Sequence, residues 1–226
     1  MSLLQKIKNR GVLHSLEIVF NRFVPAWMFR YSNGIVFELD LEKLSRAHQE
    51  LDCTQFVLTR VDGSDQWESL RKLTWNSVPQ ETTGNHSGYA ISRRDADETM
   101  VGGVWGGVDQ FNESDLGFQM RLASDQAWIY CAYVDKNTRG EGVYQRVLAF
   151  AAHDLGSRGY TRLRVIIQPW NRASLFIHQK YAVGPLGRIF AIRTFGLATI
   201  FCTGEIRKSK TFTTRLLADP VLIDVP

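Results

Sequence analysis

One short stretch constrains the fold more than any other: Val134-Asp135-Lys136-Asn137-Thr138-Arg139-Gly140-Glu141-Gly142-Val143-Tyr144. A β-branched and aromatic run over 128–134 reads as a strand entering it. A run with helical apolar spacing over 141–155 reads as a helix leaving it. The tight turn between them holds an arginine and two glycines. Such a turn builds an anion site. Backbone N–H groups at a helix start have no helical acceptor, and the helix N-terminus adds positive potential. Glycines let an anion approach the backbone and permit unusual φ/ψ. Taken alone, the stretch could hold any phosphate.

Bulk properties narrow the setting. The 226 residues suit one domain with a small extension, long enough to bury a full core. A net charge of +4 allows an anionic ligand without requiring nucleic acid. The basic tail (Arg207, Lys208, Lys210, Arg215) lacks an aromatic platform, so no nucleic-acid partner is expected. Cys53, Cys131 and Cys202 form neither a disulfide framework nor a metal spacing, which points to a reducing, cytoplasmic setting. His14, His48, His86 and His153 show no ligand spacing, and no metal is expected. No apolar run is long enough to span a membrane. At the N-terminus, Glu17 and Arg22 interrupt what would otherwise resemble a signal peptide.

Along the chain, residues 1–34 read as a helical extension. Leu3, Leu4, Ile7, Leu13, Leu16, Val19, Phe20 and Phe23 give an amphipathic helix over 2–23, weakened by Gly11 and ended by Pro25. Its basic residues and the aromatics Trp27, Phe29 and Tyr31 leave two readings open. It packs on the domain or a second subunit as a homodimer, or it makes peripheral contact with a membrane surface. A domain over 35–206 follows. Strands are expected over 35–41, 55–61, 88–93, 100–107, 116–122, 127–134, 163–168, 186–192 and 197–205. Helices are expected over 41–51, 64–73, 141–155 and 171–181. Residues 76–87 read as loop, and 94–98 and 112–115 as turns. The 207–226 tail reads as a solvated extension or a late strand. This order gives an α/β (α+β mixed) sheet containing one β–α–β unit.

Two motifs then carry a resemblance. Asn137-Thr138-Arg139-Gly140-Glu141-Gly142 resembles the acetyl-CoA signature of the GNAT superfamily of acyltransferases: Gln or Arg, two residues, Gly, one residue, Gly or Ala. The chain departs at the first position, Asn137. After the next strand, Asn171 and Ser174 open a helix, as in the family's Asn-x-x-Ala/Ser element. The resemblance implies a GNAT-like fold, with a central, mostly antiparallel sheet and a splayed β–α–β cofactor unit. It implies acetyl-CoA as co-substrate. The splayed strand at Ala132, Tyr133 and Val134 would bond the pantetheine arm, with the Ala132 N–H near the thioester carbonyl. Arg139, Gly140, Glu141, Gly142, Val143 and Tyr144 would take the pyrophosphate, with Arg139 either adding charge or pairing with a surface carboxylate. Asn171 and Ser174 would lie on the pantetheine side.

The catalytic groups are less legible. Many family members carry a Tyr seven residues after the Asn to protonate the departing sulfur; here that position is His178. A histidine can donate at neutral pH, and Tyr181 is the other candidate. A helix residue without catalytic duty is the alternative for His178. Asp109, Glu113 and Asp115 are base candidates that also read as solvated turn carboxylates. Cys131 has no definite activating partner and reads as a buried, inert thiol. The expected activity is transfer of an acetyl group to a small-molecule amine, such as an amino sugar or a lipid-linked envelope precursor. The alternatives are a non-catalytic acyl-CoA-binding module and a longer-chain acyltransferase.

Overall fold

Hydrophobic spacing sets most of the observed elements. The structure, a computed structural model, describes residues 23–25, 28–61, 64–74, 84–94, 99–113, 116–208, 214–216 and 220–226. The helix expected over 2–23 lies outside these residues except for its last, as does Asp115. The chain runs β1 (Phe29–Leu39), α1 (Leu41–Glu50), β2 (Phe56–Val61), α2 (Ser64–Leu73), β3 (His86–Arg93), β4 (Met100–Val108), β5 (Gln110–Glu113), β6 (Phe118–Arg121) and β7 (Gln126–Val134). A 3₁₀ turn (Lys136–Thr138) leads to α3 (Val143–Ser157), β8 (Arg162–Ile167), α4 (Arg172–Tyr181), β9 (Ala182–Thr194), β10 (Leu197–Cys202), β11 (Arg207–Lys208), β12 (Thr214–Leu216) and β13 (Val221–Asp224).

These elements fall into two compact units. The second unit, Glu38–Asp109 with Ser124–Val165, carries strands in the order β8-β7-β4-β3-β2. Antiparallel ladders join β2 to β3, β3 to β4 and β4 to β7, while β7 and β8 run parallel. This is the expected mixed sheet with a β–α–β unit. α1 starts where the Asp40 side chain accepts the Lys43 N–H at 2.9 Å, an N-cap that satisfies one orphan donor. Its buried Leu44 and Ala47 lie on the helix that packs against α3.

In α2, Trp67 and Leu70 are three residues apart and both buried, so they share a face. Trp67 meets Trp105 of β4 edge-on, with ring centroids 4.5 Å apart. The Trp105 indole N–H donates to Thr74 Oγ1 at 2.9 Å, which satisfies a buried polar atom. A Cβ at Gly103 would run into Leu70, so this glycine is there for close approach. Burying Leu70 contributes about 2 kcal/mol. On α3, Val143, Val147, Leu148, Ala151, Ala152 and Leu155 are buried. Gly102 lies against Val143 and Gly106 against Leu155, so these two glycines face α3.

The first unit, residues 1–37, 110–123 and 166–226, carries a run of strands in the order β12-β10-β9-β1. β9 and β10 form a hairpin in which Thr194 faces Leu197. Phe195 and Gly196, both at positive φ, make its two-residue turn. The unit also holds a four-stranded sheet, β11-β13-β6-β5.

Several boundaries differ from expectation. β1 begins at Phe29 rather than at 35, so the aromatic run after Pro25 is partly strand. Residues 110–113, half of them read as a turn, form β5 against β6. Cross-strand partners rather than propensity decide such polar strands. β9 follows α4 directly and starts at Ala182, four residues before the expected strand. In the tail, Val221, Ile223 and Val225 are buried, which selects the late-strand alternative for that stretch.

Candidate active site

The cofactor turn grows out of an irregularity in β7. Trp105 faces Tyr130 and Gly103 faces Tyr133, so Cys131 and Ala132 together oppose Val104. That is a β-bulge, and Cys131 takes φ 48° within it. On the other side, the ladder to β8 runs from Gln126↔Arg162 to Ile129↔Val165 and stops. The strand continues for five more residues, to Val134. The resemblance implied such a splayed strand, and β7 leaves its parallel neighbour where the splay was expected. Ala132 is exposed, and Tyr133 and Val134 are half-buried.

Beyond Val134 the chain is tied down locally. Asp135 accepts the Asn137 N–H through Oδ1 at 2.8 Å, and its carbonyl accepts the Thr138 hydroxyl at 3.1 Å. Asn137 thus sits inside an Asp-capped 3₁₀ turn. Gly140 takes φ 91° and Gly142 φ 74°, left-handed values that glycine adopts without steric cost. Gly142 is the N-cap of α3 and offers no side chain to its N–H groups. The first bond into the helix is Arg146 N–H to Gly142 O. Among the described residues, the N–H groups of Arg139, Gly140, Gly142 and Val143 donate to no protein acceptor. Four open donors at a helix N-terminus suit an anion such as a diphosphate.

The turn's charges are arranged around Glu141. Both of its carboxylate oxygens accept from Arg93 Nη2 at 2.8 Å. Its carbonyl accepts from Arg146 Nη1 at 2.6 Å, and Arg146 Nε donates to the Asp52 carbonyl at 2.7 Å. Arg146 also lies over the Phe56 ring, 5.2 Å from its centroid. Asp52, Gln55, Phe56, Arg93, Glu141 and Arg146 line a recess of about 280 Å³. Arg139 Nε bonds the Val134 carbonyl at 3.3 Å, so it closes the turn on itself. Tyr144, in the first turn of α3, is half-buried, and burial pushes its phenol pKa up. The signature can also be laid from Arg139, through Gly142. Tyr144 then stands where the signature has Gly or Ala, a departure hidden by starting at Asn137.

The remaining candidates lie in the first unit, on α4. Asn171 caps that helix: its Oδ1 accepts the Ser174 N–H at 3.3 Å. His178 is fully buried, and its Nδ1 lies 2.7 Å from the Ser174 carbonyl and 3.2 Å from Ser174 Oγ. A carbonyl only accepts, so Nδ1 carries the proton. Burial lowers the His178 pKa to about 4, with the Ser174 bond opposing; His178 is therefore neutral at pH 7. Tyr181 is also buried. Cys131 is half-buried rather than buried, and it forms no disulfide. Asp109 is exposed at φ 64°, and Glu113 sits in β5.

One partly buried polar pair was not anticipated. His86 Nδ1 and the Tyr130 hydroxyl are 2.5 Å apart, one residue before the bulge. Burial lowers the His86 pKa and raises that of Tyr130, so both are neutral and share one hydrogen bond whose direction follows the imidazole tautomer. No spacing rule links residues so far apart in sequence, so only the ladder brings them together. Among the described residues, no cluster of His, Cys, Asp and Glu is placed to hold a metal. No helix among them is long and apolar enough to cross a membrane.

The Acetyltransferase (GNAT) family model matches residues 47–182, more than half of the chain. The chain belongs to the GNAT acetyltransferase family. No curated protein matches it. Among solved structures, a Drosophila protein superposes with a TM-score of 0.51 at 12% identity, over 80% of this chain and 56% of that one; that likeness shows the fold alone. An aminoglycoside acetyltransferase from an uncultured soil metagenomic sample, in complex with trehalose, gives 0.43 at 15% identity, over 56% of this chain and 86% of that one. The aminoglycoside acetyltransferase AAC(6')-Iy, in complex with a bisubstrate analogue of CoA and acetylneamine, gives 0.43 at 17%, over 56% and 89%. At those scores neither bears on the acceptor.

Proposed function

We propose that this protein transfers an acetyl group from acetyl-CoA to the amine of a small molecule, by direct attack on the thioester. The observation that carries this reading is the set of four open N–H donors at the start of α3, after a strand that has left its parallel partner. The turn binds the pyrophosphate of coenzyme A. The released backbone of Ala132 and Val134 bonds the pantetheine arm. The Ala132 N–H stabilises the oxyanion that develops as the amine attacks, a donor role that elsewhere contributes about 3 kcal/mol to the barrier.

The carbonyl carbon gains a bond to nitrogen and loses its bond to sulfur. The ammonium loses one proton before or during attack, the nitrogen loses a second as the amide forms, and one proton reaches the departing thiolate, so one is released overall. Of the two candidates for the donor to sulfur, we assign Tyr181. His178, neutral with its Nδ1–H committed to Ser174, has no surplus proton at pH 7. Asn171 and Ser174 keep the place that the resemblance gives them, on the pantetheine side, while also shaping the N-terminus of α4.

The neutral His178 also favours a second reading, a coenzyme A-binding module without turnover. One experiment tests both. Thiol release from acetyl-CoA is followed across a panel of amines, beside calorimetric titration with CoA. Binding with amine-dependent release supports the transferase; binding without release supports the module; absence of binding overturns both.

A further inference from the structure

Glu141 is held at both ends by arginines from outside the turn. Arg93, at the end of β3, takes the carboxylate with both bonds at 2.8 Å. Arg146, one helical turn further on, takes the carbonyl at 2.6 Å. Arg146 is itself anchored, by the Asp52 carbonyl at 2.7 Å and by the Phe56 ring. The peptide joining Glu141 to Gly142 is trans. In a planar trans peptide the C=O and the following N–H point in opposite directions. Fixing the Glu141 carbonyl on the Arg146 guanidinium therefore turns the Gly142 N–H away from that guanidinium. That N–H is one of the four without a protein acceptor.

The carboxylate matters in a different way. Glu141 places a negative charge inside a turn whose open donors select for an anion. Left unpaired, it would repel a diphosphate; two hydrogen bonds from Arg93 offset that repulsion.

We propose that Arg146 and Arg93 are positioning residues for the donor: Arg146 sets the Gly142 amide toward the coenzyme A diphosphate, and Arg93 neutralises Glu141 so that the turn accepts it. The proposal rests on the acetyl-CoA reading above and deepens it. Neither arginine touches the reacting atoms. Their loss weakens donor binding without changing the rate once the donor is bound.

The test is calorimetric titration of CoA into the full chain, together with steady-state kinetics. Arg146→Met keeps an unbranched apolar side chain and removes the guanidinium that donates both bonds and lies over Phe56. It raises the Kd for CoA about tenfold, and leaves kcat at saturating acetyl-CoA and the KM for the amine unchanged. Arg93→Met raises the Kd by a similar factor, more at low salt than at high salt. The double variant Arg93→Met/Glu141→Gln returns the Kd close to wild type, although it has lost an ion pair. A purely structural pair would not be rescued in that way, and the double variant carries the test if Arg146→Met fails to fold. Wild-type affinity in both single variants, or a double variant no better than Arg93→Met, overturns the proposal. Failure of the wild-type protein to bind CoA overturns the acetyl-CoA reading instead.

Discussion

Two helices of this protein begin a few residues after a strand, and their first turns are in opposite states. α4 opens on Asn171, whose side chain accepts the Ser174 N–H. α3 opens on Gly142, which has no side chain to offer, and among the described residues the N–H groups of Arg139, Gly140, Gly142 and Val143 have no protein acceptor. An asparagine cap satisfies a helix start internally. A glycine cap leaves the same dipole and donors for something else. The first turn of α4 is capped by its own sequence, whereas that of α3 leaves its donors open.

The contrast can be broken most severely at Gly142. Gly142→Asp would supply the missing cap and a carboxylate at once, at φ 74° and against Arg146. Affinity for CoA should fall about a thousandfold, through repulsion of the diphosphate and loss of open donors; calorimetry measures it, and unchanged affinity would sink the assignment of the turn. On α4 the effect should be on chemistry and not on affinity. Tyr181→Phe should lower kcat about a hundredfold while the Kd for CoA stays the same; an unchanged kcat removes Tyr181 from the mechanism.

His178 sharpens the comparison through pH. Its pKa is lowered from 6.5 to about 4 in the folded protein. Between those values the unfolded chain binds the extra proton, so stability rises with pH across the window and is lost as pH falls from about 6.5 toward 4. The full swing is on the order of 3 kcal/mol. His178→Gln should weaken the pH dependence of the urea-unfolding midpoint between pH 4.5 and 7, leaving the part due to His48 and His86, whose pKa values burial also lowers, and should change kcat no more than a few-fold. A midpoint as pH-dependent as that of the wild type would place the titration elsewhere. Asp125 does not confuse this window. Its bonds to Arg162 and Thr161 lower its pKa from 3.8 to about 2, so its contribution is lost only in more acid solution. The smallest effect belongs to that pair itself. Arg162 and Asp125 are partly exposed and solvent-screened, so Arg162→Met should leave the thermal midpoint within the scatter of replicate melts.

The half of the fold built on local pattern was readable in the sequence. The strand, glycine turn and helix over 126–157 carry their own punctuation, and Trp67 with Leu70 shows helical spacing directly. What stayed illegible depends on partners distant in sequence. β5 is polar and becomes a strand only because β6 lies beside it. Val221 and Ile223 alternate correctly, but two masking features, the short run and the basic residues before it, made a solvated tail equally acceptable. In the site, the open donors were foreseeable from Gly140 and Gly142. The roles of Arg93 and Arg146 were not, because a bond from β3 or from the next helical turn leaves no mark on motif spacing. Nor was the state of His178, since its neutrality follows from burial that the helical pattern alone did not reveal.

The bulge in β7 has one more consequence. Ile129 and Val134 face Gly106 and Gly102, and both of those glycines lie against α3. Two residues an odd number of positions apart therefore share one side of a strand, which a regular pleat forbids. The strand has two phases, joined at Cys131 and Ala132. The joint must keep its number of residues and, at Cys131, a side chain that tolerates φ 48°. Losing one residue there would invert everything from Tyr133 to Val134, putting the apolar valine on the wrong side and the last strand amide out of step with the turn that follows.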